Sequence, residues 1–231
     1  MRFDPIYDGD FKEAVRSSLP KHHFIREYIT GAHVLDVGCW IGGFEYHLVG
    51  SAASVTGIDI EPRALDVAAK NLPQARFIEA SVLDMPFEPE TFDVVTCWDV
   101  IEHLPPKTER IAMSEMARVL KKGGIFSLST PSGKTLSKIL DPAYFLTGHR
   151  HYSHNEIVNL VWQSGLKVKE IKILGGWYVV ADYMLMYLYK YLLRSNKPLW
   201  KAFSHRVFED AQREGFVTLF LVAEKQGNAN W

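Results

Sequence analysis

Two hydrophobic rhythms alternate along the first half of the chain. Compact apolar runs, His33-Val-Leu-Asp-Val-Gly38, Ser54-Val-Thr-Gly-Ile-Asp-Ile60, Arg76-Phe-Ile-Glu-Ala80, Asp93-Val-Val-Thr-Cys-Trp98 and Ile125 to Ser129, predict strands covered on both faces. Between them lie helical patterns. The first thirty residues read as helix, with Phe24, Ile25 and Tyr28 apolar and Gly31 as the stop. A short helix is expected over Phe44 to Val49, one over Arg63 to Lys70 behind Pro62, and one over Glu109 to Leu120 ahead of Gly123-Gly124. Strand and helix alternating at this pace predict a parallel sheet built of right-handed crossovers.

The second half breaks that rhythm. Pro131 to Tyr152 reads as irregular, and Ser153-His-Asn-Glu156 is a capping box opening a helix that runs to Gly165. Val168 to Leu174 reads as a strand, a largely helical insertion follows, and Phe216 to Glu224 reads as the last strand. The most apolar stretch, Trp177 to Leu193, contains Asp182 and Lys190 and is a poor membrane span. It reads as an amphipathic helix covering the core, with an active-site lid or a membrane-surface helix as alternatives. No repeat, low-complexity tract or linker divides the chain.

Composition narrows the classes. With 47% hydrophobic and 23% charged residues the chain can bury a core. Lysine and arginine total 26 against 27 acids, and this balance disfavours a nucleic-acid partner. Cys39 and Cys97, in or beside buried strands and without CxxC spacing, argue against a disulfide framework or a zinc cluster. The amino terminus shows charge and no apolar run, so a cytoplasmic protein without a transmembrane segment is expected, peripheral membrane contact staying open.

Chemistry begins at Asp36-Val-Gly38-Cys39-Trp40-Ile-Gly42-Gly43, where a strand turns toward a helix. Glycine there satisfies unusual backbone angles and lets a ligand approach, on the side of the sheet where such folds bind ligands. Asp59, ending the second strand, is placed to accept hydrogen bonds from the ribose hydroxyls of an adenosine cofactor. A nicotinamide-dependent dehydrogenase would want the same pair, but Trp40 stands at the middle of the glycine pattern and the third glycine is poorly placed.

Six motifs in order, Leu35-Asp-Val-Gly-Cys, Gly57-Ile-Asp-Ile60, Asp84-Met-Pro-Phe87, Phe92-Asp-Val-Val, Val100-Ile-Glu-His-Leu104 and Arg118-Val-Leu-Lys-Lys-Gly-Gly124, resemble those of class I S-adenosylmethionine-dependent methyltransferases, above all the ubiquinone- and menaquinone-biosynthesis type. The resemblance covers roughly residues 30 to 131. It implies a Rossmann-like, doubly wound α/β sheet of seven strands, mostly parallel, with an antiparallel last strand beside the fifth. It implies one methyltransferase domain over 1–231: a helical segment (1–30), a cofactor-binding core (31–131), and acceptor-side insertions (132–165 and 176–215).

Residue by residue, the resemblance places Asp36, Gly38 and the turn through Cys39, Trp40 and Gly42 at the methionine part of S-adenosyl-L-methionine. It places Asp59 at the ribose, Ile60 against the adenine, Ser81, Val82 and Asp84 at the adenine edge, and Trp98 as a backbone partner of the amino group. Family members usually carry glycine at the position of Trp40 and often an acid at that of Ser81, so the indole must turn away or wall the cofactor. Otherwise Trp40 is a packing residue.

Methyl transfer needs an acceptor held in line with the S–CH₃ bond, and an oxygen acceptor also needs a base. His103, just past the fourth strand, and His151, in the loop with His149 and His154, are the candidates; a structural or solvent-facing role is the alternative. Ubiquinone-pathway O-methyltransferases bind a divalent cation through an acid, two residues, then Glu-His, and Asp99, Glu102 and His103 match that spacing; metal binding stays open. Tyr144, Phe145, Tyr152, Trp162, Trp177, Tyr178 and Tyr183 suggest an acceptor wall suited to O-methylation of a small aromatic, quinone-like or lipid-linked molecule, or else core. An RNA methyltransferase and a non-catalytic S-adenosylmethionine-binding protein are the rival readings. Oligomeric state is not legible.

Overall fold

The computed structural model describes residues 11–188 and 204–227. Its centre is a seven-stranded sheet in the order β3-β2-β1-β4-β5-β7-β6. The strands are β1 (His33–Val37), β2 (Ser54–Asp59), β3 (Arg76–Glu79), β4 (Phe92–Trp98), β5 (Leu120–Pro131), β6 (Leu166–Leu174) and β7 (Thr218–Lys225). The first five run parallel, and β7 lies antiparallel between β5 and β6, as expected.

The order reverses at β1, whose neighbours β2 and β4 continue in opposite directions across the sheet. Such a switch point opens a crevice beyond the carboxyl ends of the strands. Val37 pairs with Ile58 on one side and Cys97 on the other, so Gly38, Asp59 and Trp98 leave the sheet at one level. The strands read as apolar runs because both faces are covered. Leu35, Val37, Met116, Phe126 and Leu221 pack on one side, and Val34, Leu48, Val55, Trp98 and Phe220 on the other.

The helices are α1 (Phe11–Ile25), α2 (Pro62–Asn71), α3 (Glu109–Val119), α4 (Thr135–Leu140), α5 (Pro142–Thr147), α6 (His154–Gln163), α7 (Trp177–Leu188) and α8 (Ser204–Asp210). The capping box is formed: Ser153 Oγ accepts from the Glu156 N–H, and Glu156 accepts from the Ser153 N–H. Three expectations are revised. Phe44 to Val49 contains only a single 3₁₀ turn, Glu45–His47. The fifth strand begins five residues earlier, at Leu120, because Leu120 already pairs with Phe92. Pro131 to Tyr152 is not irregular but holds α4 and α5; the Asp141 carboxylate accepts from the Ala143 N–H and Pro142 fills the first turn of α5.

Of the expected amino-terminal helix, residues 1–10 lie outside the described residues, as does the part of the Trp177 to Leu193 stretch beyond Leu188. Helix α7 buries Val179 and Val180. Among the described residues no helix is long and apolar enough to cross a membrane.

Candidate cofactor and acceptor site

The bend after β1 is set by sterics. Gly38 has φ +77°, and a β-carbon there would lie 2.3 Å from Cγ2 of Val100. Trp40, at φ +49°, adopts the left-handed conformation without being glycine, at a cost of about 1–2 kcal/mol. Its backbone N–H donates to Oδ2 of Asp59 over 2.9 Å, and the Glu61 N–H donates to Oδ1 over 3.1 Å. Asp59 thus ties the bend to the end of β2 and keeps lone pairs free for a diol. The strained angle explains why glycine suits this position. Trp40 is 38% exposed, so it is no core residue.

Around the bend lies a cavity of about 880 Å³. Asp36, Gly38, Cys39, Trp40, Asp59, Ile60, Ser81, Val82 and Trp98 line it. Gly42 and Asp84 do not. Gly42, at φ +83°, faces α2, where a β-carbon would meet that of Ala68 at 3.1 Å. Asp84 is exposed and closes a tight turn onto Ser81.

Asp36 is buried and accepts from the Thr96 hydroxyl. Burial, outweighing that hydrogen bond, pushes its carboxyl up to about 7. Glu45, fully buried beside it, is pushed well above the usual carboxylate range by burial and then by the charge of Asp36. The Cys39 thiol is also raised by burial, which argues against a thiolate nucleophile.

Helix α1 supplies the facing wall through Ala14, Ser17, Ser18 and Lys21. Lys21 Nζ lies 2.8 Å from Oδ2 of Asp99, whose Oδ1 accepts from Ser129 Oγ over 2.7 Å. Burial would raise Asp99, yet the ammonium holds it below the usual range. Sequence reading passed over Lys21, because nothing in its helix marks which lysine turns inward.

A smaller cavity of about 180 Å³ adjoins the first, and both are lined by Asp99 and His103. Its other polar residues are Glu102, Asp141, His149, His151, Ser137, Tyr183, Tyr187 and Thr218. The loop bearing the histidines is pinned by Arg150, whose guanidinium donates to the carbonyls of Ile101 at 2.7 Å and Leu104 at 2.6 Å and pairs with Glu109. That brings the His103 and His149 rings to 4.8 Å between centroids. Desolvation, and then His149, lower the His103 imidazole below its ordinary range.

His151 has a 1% exposed side chain with both nitrogens occupied: Nδ1 is 2.8 Å from the Ser132 carbonyl oxygen and Nε2 is 2.9 Å from Oδ2 of Asp141. His154 sits exposed in the first turn of α6 and lines neither cavity. Of the expected aromatic wall only Tyr183 lines the small cavity. Phe145, Trp162 and Trp177 are exposed and Tyr152 is core.

The cation set suggested by Asp99, Glu102 and His103 does not assemble. Lys21 and Ser129 take both oxygens of Asp99, and Glu102 and His103 converge with His149 instead.

A family model described as a methyltransferase domain matches residues 34–124. An uncharacterised methyltransferase of Synechocystis sp. is 38% identical over 98 residues, covering 42% of this chain and 46% of that protein. A ubiquinone biosynthesis O-methyltransferase of Idiomarina loihiensis is 33% identical over 147 residues, covering 60% of this chain and 58% of that one. Residues 34–124 form a class I S-adenosylmethionine-dependent methyltransferase domain.

The chain spans about half the length of the curated relatives it matches. The geranyl diphosphate C-methyltransferase of Streptomyces coelicolor, solved with Mg²⁺, geranyl diphosphate and S-adenosyl-L-homocysteine, superposes with a TM-score of 0.64 at 18% identity, covering 96% of this chain and 84% of that one. The 4+2 cyclase SpnF superposes with a TM-score of 0.63 at 17% identity, covering 89% of this chain and 80% of that one. These two likenesses concern the fold alone, which serves more than one reaction. The match to the family model ends before β5 is complete, so Asp141, His149 and His151 lie outside the matched residues.

Proposed function

We propose that the protein transfers the methyl group of S-adenosyl-L-methionine to an oxygen of a small acceptor. The observation that carries this reading is the junction of the two cavities at Asp99 and His103. The large cavity has room for the cofactor. Asp59 would accept from its ribose diol, Ile60 would lie under the adenine, and Ser81 and Val82 would border that ring. Asp36 and the Trp98 backbone would face the methionine ammonium over the Gly38–Cys39–Trp40 bend. Gly42 acts by letting the bend pack on α2, and Asp84 is left without a contact role.

The smaller cavity, at about 180 Å³, suits one ring-sized group, since a cavity of about 150 Å³ holds benzene. Its walls come largely from residues 137–151 and 180–187, inside the two acceptor-side insertions. Bound S-adenosyl-L-methionine would supply the methyl group to the acceptor oxygen and leave as S-adenosylhomocysteine, and His103 would take up the hydroxyl proton. A lowered imidazole pKa keeps His103 neutral and ready for that proton at pH 7. His151, with both nitrogens engaged, shapes the cavity rather than moving the proton. The ubiquinone biosynthesis O-methyltransferase relative favours oxygen as the acceptor atom, and the size of the cavity suits a small aromatic or quinone-like bearer.

The test has two stages. S-adenosylhomocysteine should raise the melting temperature and NAD should not; no shift with S-adenosylhomocysteine overturns the reading. Label from methyl-tritiated donor should then reach hydroxyarenes and quinols and spare short RNAs. Label in RNA alone would overturn the acceptor class.

A further inference from the structure

Asp141, His149 and His151 lie beyond the residues that the family model matches and turn three donor atoms to one point on the wall of the small cavity. Nδ1 of His149 and Nε2 of His151 each stand 2.9 Å from Oδ2 of Asp141. Ordinarily one reads two N–H groups donating to a carboxylate. The outer nitrogens oppose that reading.

Nδ1 of His151 faces the Ser132 carbonyl oxygen, which can only accept. The proton of a neutral ring therefore sits on Nδ1, and Nε2 presents a lone pair to Asp141. Nε2 of His149 lies 3.8 Å from Oε1 of Glu102. That oxygen is buried and has no hydrogen-bond partner among the described residues, while Oε2 already accepts from Thr130. An N–H on Nε2 of His149 would face the orphaned oxygen across 3.8 Å, wider than a hydrogen bond, and leave Nδ1 as a second lone pair aimed at Asp141. Two imidazole lone pairs and a carboxylate oxygen then converge with no proton among them. They repel unless a proton or a metal ion lies between them.

We infer that Asp141, His149 and His151 hold a divalent transition-metal ion of the Zn²⁺ class, with Ser132 and Glu102 orienting the two imidazoles from behind. Metal-bound histidines almost always give their other N–H to a carbonyl or carboxylate, as both rings would here. Two imidazoles and one carboxylate suit Zn²⁺, Co²⁺ or Mn²⁺, whereas Mg²⁺ and Ca²⁺ prefer oxygen alone. Three protein ligands leave a coordination position toward the cavity. On the methyl-transfer reading, which this last step rests on, an acceptor bearing an oxygen beside its reactive hydroxyl would fill it.

Co²⁺ is the probe, added to the full chain after dialysis against chelator. One equivalent should give saturable visible absorption bands that Zn²⁺ abolishes, and Zn²⁺ should raise the melting temperature. Asp141→Asn keeps an oxygen to cap Ala143, and His151→Gln is the second variant. Each should weaken Co²⁺ binding by about tenfold or more. Absence of a saturable signal in the wild type overturns the site, as does binding of undiminished affinity in either variant. If the variants fail to fold, the wild-type titration decides alone. Stabilisation by S-adenosylhomocysteine, measured on the same metal-free sample, separates this question from the methyl-transfer reading. The metal can bind where that reading fails, and the reverse.

Discussion

The two cavities are built by different means. The cofactor crevice is made by the sheet itself: β1, β2 and β4 end at one level, and the bend after β1 follows from backbone angles with almost no space for a side chain. The smaller cavity is made by segments that reach it from outside the parallel core, held by long-range bonds from Arg150 and Lys21 and by the local contact of Asp141 with His151. The first kind of site tolerates little change and can serve one cofactor across many reactions. The second can be remodelled without disturbing the sheet, which fits a shared fold carrying both a C-methyltransferase and a cyclase.

Matched glycine substitutions give the sharpest break in that comparison. Gly38→Ala would drive a β-carbon into Val100 at 2.3 Å while φ stays at +77°. It should cost about 3 kcal/mol in urea unfolding and abolish measurable S-adenosylhomocysteine binding. Gly148, capping α5 on the acceptor side, has a similar φ of +71° but nothing within 4 Å. Gly148→Ala should cost about 1 kcal/mol and leave cofactor affinity unchanged. Equal costs would mean that the bend is no tighter than a surface cap.

Next in size is Asp59→Ala, which removes the proposed diol acceptor and frees the Trp40 N–H. Calorimetric titration should show S-adenosylhomocysteine weakened by about 1–3 kcal/mol with the fold retained. Unchanged affinity would leave Asp59 as a tether of the bend and nothing more.

What the sequence revealed follows the same division. Buried parallel strands read as apolar runs because no face meets water, and an acid closing the second strand is legible from its spacing to the first. Of the cofactor residues expected, only Gly42 and Asp84 stand off the crevice, since spacing places a residue in a loop without fixing which way it faces. The acceptor side was legible as a region and opaque in detail. Helices α4 and α5 have six residues each, too few for a period to show; the Asp141-Pro142 pair was the available signal. Glu45 and Lys21 place ionisable groups beside other ionisable groups inside the fold, and the partner of Lys21, Asp99, is distant in sequence. The exposed aromatics of α5 and α7 looked like a pocket wall because composition does not distinguish an inward ring from an outward one.

A smaller effect is expected where the two regions meet. Lys21→Met would leave Asp99 facing both cavities without its ammonium. Since the Asp99 side chain remains 40% exposed, water would cover part of the loss, and unfolding should show about 1 kcal/mol. The informative readout is kinetic. If Asp99 and Lys21 shape the passage between donor and acceptor, KM for the acceptor should rise while S-adenosylhomocysteine affinity stays within about twofold. A drop in cofactor affinity alone would place Lys21 wholly in the larger cavity.

The gentlest test of the crevice is pH. Asp36 sits at about 7 because burial penalises its charge, and with Glu45 it titrates as one pair. A carboxyl raised in the folded state holds protons that the unfolded chain has lost. The free protein should therefore be most stable near pH 4 as far as this pair is concerned, and lose that contribution as pH climbs through 7. Cofactor binding should run the opposite way. Below pH 7 Asp36 is protonated and offers the methionine ammonium no charge, so S-adenosylhomocysteine affinity should rise between pH 6 and 8, by no more than about tenfold. Asp36→Asn should flatten that rise and lessen the stability loss, Glu45 keeping the share that its own burial causes. If the stability loss lessens while the rise in affinity stays, Asp36 titrates in the core without facing the ligand, and the ammonium must find its partners in backbone carbonyls of the crevice.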